Sequence, residues 1–213
     1  MEQGLLDRAR SGKGFSMNRR HLLLGASALT VWFGPAARAA NPAEIFISAN
    51  IQAGFDILND QAVTAGQRRE RFAALLLGLT DVRRVALFLL GHYAAQAAQA
   101  DLDAYVAAYQ DHVLAMYQSY FARYAGQSLR VTASRERAPN DFVVTTSMTG
   151  ANSTPLPIDF RVRTDGPKPI LVDLGVGGVW LSLAQRDEFL AVLAQHNGDI
   201  KALSVHLRAA QSR

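Results

Sequence analysis

The fold is decided by residues 67–124, which read QRRERFAALLLGLTDVRRVALFLLGHYAAQAAQADLDAYVAAYQDHVLAMYQSYFARY. Apolar side chains recur in this stretch every three or four residues, as they do along one side of an amphipathic helix. The first two patterns are separated at Thr80-Asp81, where either residue can cap a new helix. A third pattern begins near Asp101 and carries a broad, tyrosine-rich face. The stretch therefore predicts two or three helices whose shared apolar side must be buried against a sheet or against a ligand.

Before this stretch, residues 1–39 have the composition of an export signal. A basic segment at 17–21 precedes an apolar run at 22–33, and Ala37-Arg38-Ala39 forms a small-residue cleavage site. The paired Arg19-Arg20 resembles a twin-arginine signal, so export by the Sec or the Tat route and a true start at Met1 or Met17 remain open. We predict a cleaved signal peptide, a single domain spanning residues 40–213 and a periplasmic location.

The charge of the chain is concentrated in that first segment. Residues 1–39 contain six bases and two acids; removing them from the totals of 22 and 18 leaves 16 of each. A neutral body without a basic run argues against nucleic acid as a partner. The chain has no cysteine, which excludes disulfides, thiolate catalysis and cysteine-based metal sites.

The body begins with a helical pattern at 42–58 and changes to period two after Gly126. Four alternating segments follow, separated by turn sequences such as Ala138-Pro139-Asn140-Asp141. They lie near residues 129–134, 142–148, 158–163 and 170–176, and they predict an antiparallel meander of about four strands. Ser182 and Gln185 form a capping-box pattern that opens a further helix, which Asn197-Gly198 ends before a last short helix.

An apolar sheet face and a broad apolar helical face together predict an α+β protein in two layers. If the layers meet completely, they form a core. If the sheet curls away from the helices, an apolar cavity opens between them. Period and spacing do not distinguish these alternatives.

Catalytic and metal-binding patterns are absent from the sequence. The histidines are scattered without the spacing of a metal site, and no nucleophile elbow is present. The glycines of Gly175-Val176-Gly177-Gly178 lie between a predicted strand and a predicted helix, but they lack the remaining positions of a phosphate-binding loop. We interpret them as a tight bend. The sequence thus predicts no catalytic residue, no metal and no cofactor.

Four motifs carry a family resemblance. They are, in chain order, Arg69-Glu70-Arg71-Phe72 with its following leucines, Asp81-Val82 leading to Leu90-Gly91-His92-Tyr93, the aromatic series of the third helix, and Asp173–Leu181 followed by Gln185-Arg186 and Phe189. This ordered set resembles the MlaC-type periplasmic phospholipid-binding proteins, also called the toluene-tolerance auxiliary family. The chain departs from the family pattern at Ala94, Trp180 and Gln185.

The resemblance implies a soluble lipid carrier rather than an enzyme. Such a carrier moves phospholipid between an outer-membrane lipoprotein complex and an inner-membrane ABC transporter, maintains outer-membrane lipid asymmetry and acts as a monomer. The lipid headgroup can stay in water at the mouth of the cavity. The residues expected to line the cavity are apolar positions on the helices and the inward strand positions: Val85, Leu89, Tyr93, Tyr109, Val113, Phe142, Val144, Ile158, Phe160, Val162, Leu171 and Leu174.

Other functions remain open from the sequence. Some relatives of this type are linked to hopanoid metabolism, so a hopanoid-associated periplasmic lipid-binding protein is one alternative. A small exported enzyme using His92 or Asp173 is a second, and a structural adaptor with a solid core is a third. Lipid species and the direction of transport are not readable from the sequence.

Overall fold

The structure is a computed structural model that describes residues 39–122, 126–150 and 154–210; for residues 118–122 it describes the backbone only. The predicted signal peptide and its cleavage site therefore lie almost entirely outside the described residues. Within these residues, six α-helices and five strands follow one another, with a 3-10 helix (Gly91–Gln96) between α3 and α4: α1 (Pro42–Asn59), α2 (Ala65–Leu79), α3 (Val82–Leu90), α4 (Gln99–Ala122), β1 (Ser128–Ala138), β2 (Asp141–Thr149), β3 (Leu156–Arg163), β4 (Ile170–Val176), β5 (Val179–Trp180), α5 (Leu181–Gln195) and α6 (Ile200–Ala210).

The helices begin where the sequence supplies caps. Asn41 accepts a hydrogen bond from the backbone N–H of Glu44 at the start of α1. Thr64 and Gln67 form a capping box at the start of α2. Asp81 caps α3 by accepting from the N–H of Arg84 at 2.9 Å. The predicted break at Thr80-Asp81 is therefore confirmed.

The five strands form one antiparallel sheet in the order β1-β2-β3-β4-β5. The predicted meander is thus confirmed, with one short strand more than expected. That strand exists because Gly177 and Gly178, at φ +58° and +87°, make the two-residue hairpin between β4 and β5. The glycine-rich segment is therefore the tight bend that the sequence predicted.

Hydrophobic side chains form two separate cores. In the sheet core, Val144 and Val162 on one face of the sheet pack against Ala43 and Ile47 of α1. The simplest expectation was that the helices of residues 67–124 would cover this face of the sheet. Helix α1 covers it instead.

The buried residues of the helical core come from α3, α4, α5 and α6. Leu89, Tyr105, Phe189, Leu193 and Leu203 are each at most 1% exposed within it. Much of the tyrosine-rich face of α4 is therefore buried against other helices. Among the described residues, no helix combines the length and apolar composition needed to cross a membrane.

Candidate functional site

An apolar crevice of about 90 Å³ opens between strand β4 and the helices. Helix α2 forms one wall, helices α3 and α4 form the next, and β4 with the start of α5 closes the remainder. Its apolar lining consists of Leu76, Leu77, Val82, Val85, Tyr109, Val113, Met116, Tyr117, Leu171, Val172, Leu174 and Leu181. The polar groups at its edge belong to Thr80, Asp173, Ser182 and Gln185. We call this feature the apolar crevice.

Five of the twelve residues expected to line a cavity meet in the apolar crevice. These five are Val85, Tyr109, Val113, Leu171 and Leu174. They come from the neighbouring helices α3 and α4 and from β4, which lies far along the chain from both, and the fold brings all five to one place.

The other seven expected residues lie elsewhere. Leu89 is in the helical core and Tyr93 packs against it. Val144 and Val162 are in the sheet core, with Phe142 and Phe160 packed around them, and Ile158 is buried on the same sheet. In the described structure these seven side chains contact protein, so their role in binding stays a prediction.

Sequence reasoning missed most of the wall formed by α2 and the far half of α4. Leu76, Leu77, Met116 and Tyr117 line the crevice but were not expected there. The available signal was the leucine run at 75–77, since three consecutive leucines give α2 apolar side chains beyond a narrow stripe.

Tyr109 lines the crevice and is fixed by contacts with helix α5. Its ring packs edge-on against Phe189, with centroids 6.2 Å apart, and its hydroxyl donates to Oε1 of Gln185 at 3.2 Å. Burial raises the pKa of Tyr109, and the negative charge of Asp173 adds to this effect. The phenol is therefore neutral and serves as a packed wall, not as an acid or a base.

Asp173 stands at the polar edge with its carboxylate already in use. Oδ1 accepts from the N–H groups of Leu174 and Ser182, at 2.8 and 3.1 Å, and Oδ2 accepts from the Ser182 hydroxyl at 2.5 Å. The arrangement fixes the start of α5 to β4. It resembles a helix cap and not a catalytic pair, because no histidine partner is hydrogen-bonded to either residue among the described residues.

Helix α2 is the least anchored wall of the crevice. None of its residues is fully buried, although Leu75, Leu76, Leu77 and Leu79 are all half-buried. The crevice volume of about 90 Å³ is well below the ~300–1,000 Å³ of a typical ligand pocket. A ligand with two acyl chains would therefore need the walls to separate, and α2 is the wall with the fewest buried contacts to break.

The described residues contain no group of three or more His, Asp or Glu side chains placed to hold a metal ion. The fold and the crevice together define an α+β protein with an apolar crevice where its two cores meet. Its family is shown by sequence: a model of the family described as "MlaC protein" matches residues 48–209. The chain belongs to the MlaC family.

Comparison with solved structures gives the same fold. The chain is similar to the phospholipid-binding protein from Ralstonia solanacearum, solved in complex with a phospholipid. The TM-score is 0.65 with 18% sequence identity, and the match covers 83% of this chain and 98% of that one. At this identity the likeness establishes the fold alone. No curated protein sequence matches the chain.

Proposed function

We propose that this protein is a periplasmic carrier of lipid that holds the acyl chains of its ligand between the helical core and the sheet core. The observation that carries the proposal is the apolar crevice. It lies where the two cores meet, because its walls include Tyr109 of the helical core and Leu171, which packs against the sheet core. Membership of the MlaC family and the lipid-bound relative of the same fold support this reading.

The energetics explain why such a carrier is needed. Each CH₂ group taken from water gains about 0.8 kcal/mol, so two acyl chains of ~30 methylenes represent roughly 24 kcal/mol of hydration cost. No lipid crosses an aqueous space at a useful rate against that cost. A carrier must replace this apolar contact with its own side chains.

The five residues already gathered in the apolar crevice are the proposed first contacts of the acyl chains. As α2 moves outward, Leu76 and Leu77 would follow the lipid and keep it covered. The seven remaining cavity residues of the sequence prediction would be reached only if the opening extended into either core. The opened form is therefore expected to involve α2 before it involves α1.

The proposed route runs between an outer-membrane lipoprotein complex and an inner-membrane ABC transporter, and it serves outer-membrane lipid asymmetry. This route comes from family resemblance and carries the further expectation of a monomeric protein. A hopanoid-type ligand is the second candidate for the same crevice, because its walls are apolar and place no demand on the shape of a headgroup. An enzyme is not favoured, since Asp173 is engaged in capping α5.

Lipid analysis tests the proposal directly. The full chain is expressed in a Gram-negative host, isolated from the periplasm without detergent, extracted with organic solvent and examined by mass spectrometry. We expect about one mole of phospholipid per mole of protein, and a hopanoid signal would select the second candidate. A lipid-free protein that also fails to move fluorescent phospholipid between vesicles would refute the carrier role.

Export is tested in the same preparation. The intact mass of the periplasmic protein is expected to correspond to a start within a few residues of Ala40. A full-length chain retained in the membrane fraction would contradict the predicted cleavage.

A further inference from the structure

A second crevice adjoins the first and differs from it in chemistry. It has a volume of about 160 Å³, it is lined by twelve residues, and its arginine and aspartate side chains are Arg84, Arg161, Arg163, Asp81 and Asp173. We call it the polar crevice. Six of the twelve also line the apolar crevice, namely Thr80, Val85, Leu171, Val172, Asp173 and Ser182. The two spaces therefore share one wall.

That shared wall is an irregular part of the sheet. Arg161 pairs with Asp173 and Val162 with Leu171, so Val172 is an extra residue in β4. Such a bulge interrupts the ladder and redirects side chains. On its other edge, β4 contacts the α2–α3 junction through a single bridge between Thr80 and Leu171. The two crevices therefore adjoin at a stretch of β4 whose pairing is interrupted on one edge and limited to one bridge on the other.

Arg161 is fixed in the polar crevice by a buried carboxylate. Its Nε donates to Oδ1 of Asp141 at 3.0 Å and its Nη2 donates to Oδ2 at 2.8 Å, while Asp141 is only 6% exposed. The hydrogen bond from Arg161 holds the pKa of Asp141 below its usual value. These bonds leave Nη1 without a partner among the described residues. A bidentate interaction of this kind orients the guanidinium and leaves Nη1 able to donate to a ligand.

Arg84 supplies a second guanidinium with unused donors. It lies on the first turn of α3, where a positive charge opposes the helix dipole and is mildly destabilising. Its neighbour Arg83 offsets that effect with an ion pair to Asp103 at 2.7 Å. Arg84 forms no ion pair within the described parts of the chain.

The remaining charges of the polar crevice are largely committed. Arg163 pairs with Asp165. Asp173 accepts three hydrogen bonds at the start of α5, and Asp81 caps α3. The lining holds three arginines and two aspartates, and Asp141 and Asp165 pair with Arg161 and Arg163, so Arg84 is the arginine of the lining that forms no ion pair among the described residues. An anionic ligand group would meet side-chain donors of Arg84 and Arg161 that make no hydrogen bond among the described residues, beside two carboxylates that already accept hydrogen bonds.

We infer that the polar crevice binds the phosphate group of a lipid whose acyl chains lie in the apolar crevice, with Arg84 and Arg161 as its donors. The inference rests on the proposed carrier function and adds to it a binding site for the headgroup. The family resemblance alone would allow the headgroup to stay in water. Guanidinium groups suit phosphate oxygens because their N–H donors lie in one plane and carry positive charge. A phospholipid headgroup and free inorganic phosphate present similar oxygen atoms to these donors. We propose that the phosphate in this crevice belongs to the lipid.

The test compares two variants of adjacent residues. Arg84→Gln removes the free guanidinium, whereas Arg83→Gln makes the same change of charge on the same helix turn but outside the crevice. Each full-chain protein, delipidated and refolded on a column, is titrated with a short-chain phosphatidylglycerol, with diacylglycerol of the same chains and with inorganic phosphate. Circular dichroism confirms that each variant is folded.

We expect Arg84→Gln to weaken phosphatidylglycerol binding about tenfold, as for loss of a charge-assisted hydrogen bond. Diacylglycerol binding should be unchanged, and Arg83→Gln should match the original chain with both lipids. Arg161→Lys retains the charge but loses the bidentate interaction with Asp141. It should weaken phosphatidylglycerol binding less than Arg84→Gln does and leave diacylglycerol binding unchanged.

Three results would overturn the inference, and they differ from failure of the carrier function. Equal binding of both lipids by all proteins would show that lipid is carried without a headgroup site. Binding of inorganic phosphate through Arg84, with no preference for phosphatidylglycerol over diacylglycerol, would assign the crevice to free phosphate. An equal loss of both lipids in Arg84→Gln would indicate a structural role. If neither lipid bound to the original chain, the carrier function itself would be refuted.

Discussion

The Ser182 hydroxyl donates to Oδ2 of Asp173 at 2.5 Å, while the Ser182 N–H donates to Oδ1 of the same carboxylate at 3.1 Å. Strand β4 therefore caps helix α5 across nine residues of chain. This link joins the sheet to the helices at the polar edge of both crevices. Because β4 and the start of α5 are tied together, we expect the proposed opening of the crevice to occur at α2, which has no fully buried residue.

We expect Asp173→Ala to lower the free energy of unfolding by about 1–2 kcal/mol, because it removes the cap of α5. Ser182→Ala removes one of the three bonds and should cost about 1 kcal/mol. The double variant should cost less than the sum, since both changes break the same hydrogen bond. Urea denaturation of the four proteins measures these values, and strictly additive losses would contradict the direct link.

This cap also shows where sequence reasoning reached its limit. The Ser182 and Gln185 pattern predicted the helix α5 correctly but gave the wrong cap. The helix begins at Leu181, no side chain of the residue before it makes a capping bond, and Asp173 supplies the acceptor from the preceding strand. A local pattern identifies which backbone donors need a partner. It does not identify a partner that the fold brings from a neighbouring element.

The same limit applies to the cavity residues. Alternation along β2 and β3 correctly placed Val144 and Val162 on the apolar face of the sheet. It did not reveal that Ala43 and Ile47 of α1 would cover them, because this contact joins residues about a hundred positions apart. By contrast, Leu171 and Leu174 lie on the last long strand and line the crevice, although Leu171 also packs against the sheet core.

A second prediction concerns the end of helix α5. Gly198 has φ +79°, and a Cβ atom added there would lie 2.8 Å from Cε1 of Tyr93. Gly198→Ala combines backbone strain with a ring clash, so we expect a loss of about 2–3 kcal/mol in the free energy of unfolding.

Gly178→Ala is the matched control for this change. Gly178 also has a positive φ, +87°, but a Cβ atom there would meet nothing within 4 Å. It should therefore lose only about 1 kcal/mol from backbone strain. Equal melting temperatures for the two variants would contradict the close packing of Tyr93 on this glycine.

A third prediction concerns pH. His112 is half-buried, with its ring centroid 6.5 Å from that of Phe189. Burial lowers the pKa of His112, the charge of His206 adds to this effect, and Glu188 opposes it. Because the folded-state pKa lies below the unfolded value of about 6.5, the stability contributed by neutral His112 is complete above pH 6.5. That stability is lost as the pH falls below 6.5 toward the folded-state pKa.

His112→Gln should therefore flatten the pH dependence of unfolding. We expect the original chain to lose more stability than the variant between pH 7.5 and 5.5, as measured by urea denaturation at fixed ionic strength. Curves that remain parallel over this range would show that protonation of His112 is not linked to unfolding.

The last prediction separates core from crevice by placing the same charge in each. Val144 is 0% exposed in the sheet core, whereas Val113 is half-buried and lines the apolar crevice. A carboxylate at Val144 has no access to water, so Val144→Asp should lower the free energy of unfolding by about 4 kcal/mol or more and leave little folded protein. A carboxylate at Val113 can reach water in the empty crevice, so Val113→Asp should cost only about 1–2 kcal/mol.

The two variants should also differ in lipid content. Val113→Asp is expected to fold and to retain much less phospholipid per mole, because the carboxylate would face acyl chains that exclude water. Val113→Ala is the control for the loss of the valine side chain without the charge, and it should keep most of its lipid. Phosphorus analysis of the purified proteins, together with denaturation after delipidation, measures both effects. A folded Val113→Asp protein with normal lipid content would show that the acyl chains do not lie in the apolar crevice. A stable, folded Val144→Asp protein with depleted lipid would show that they lie in the sheet core.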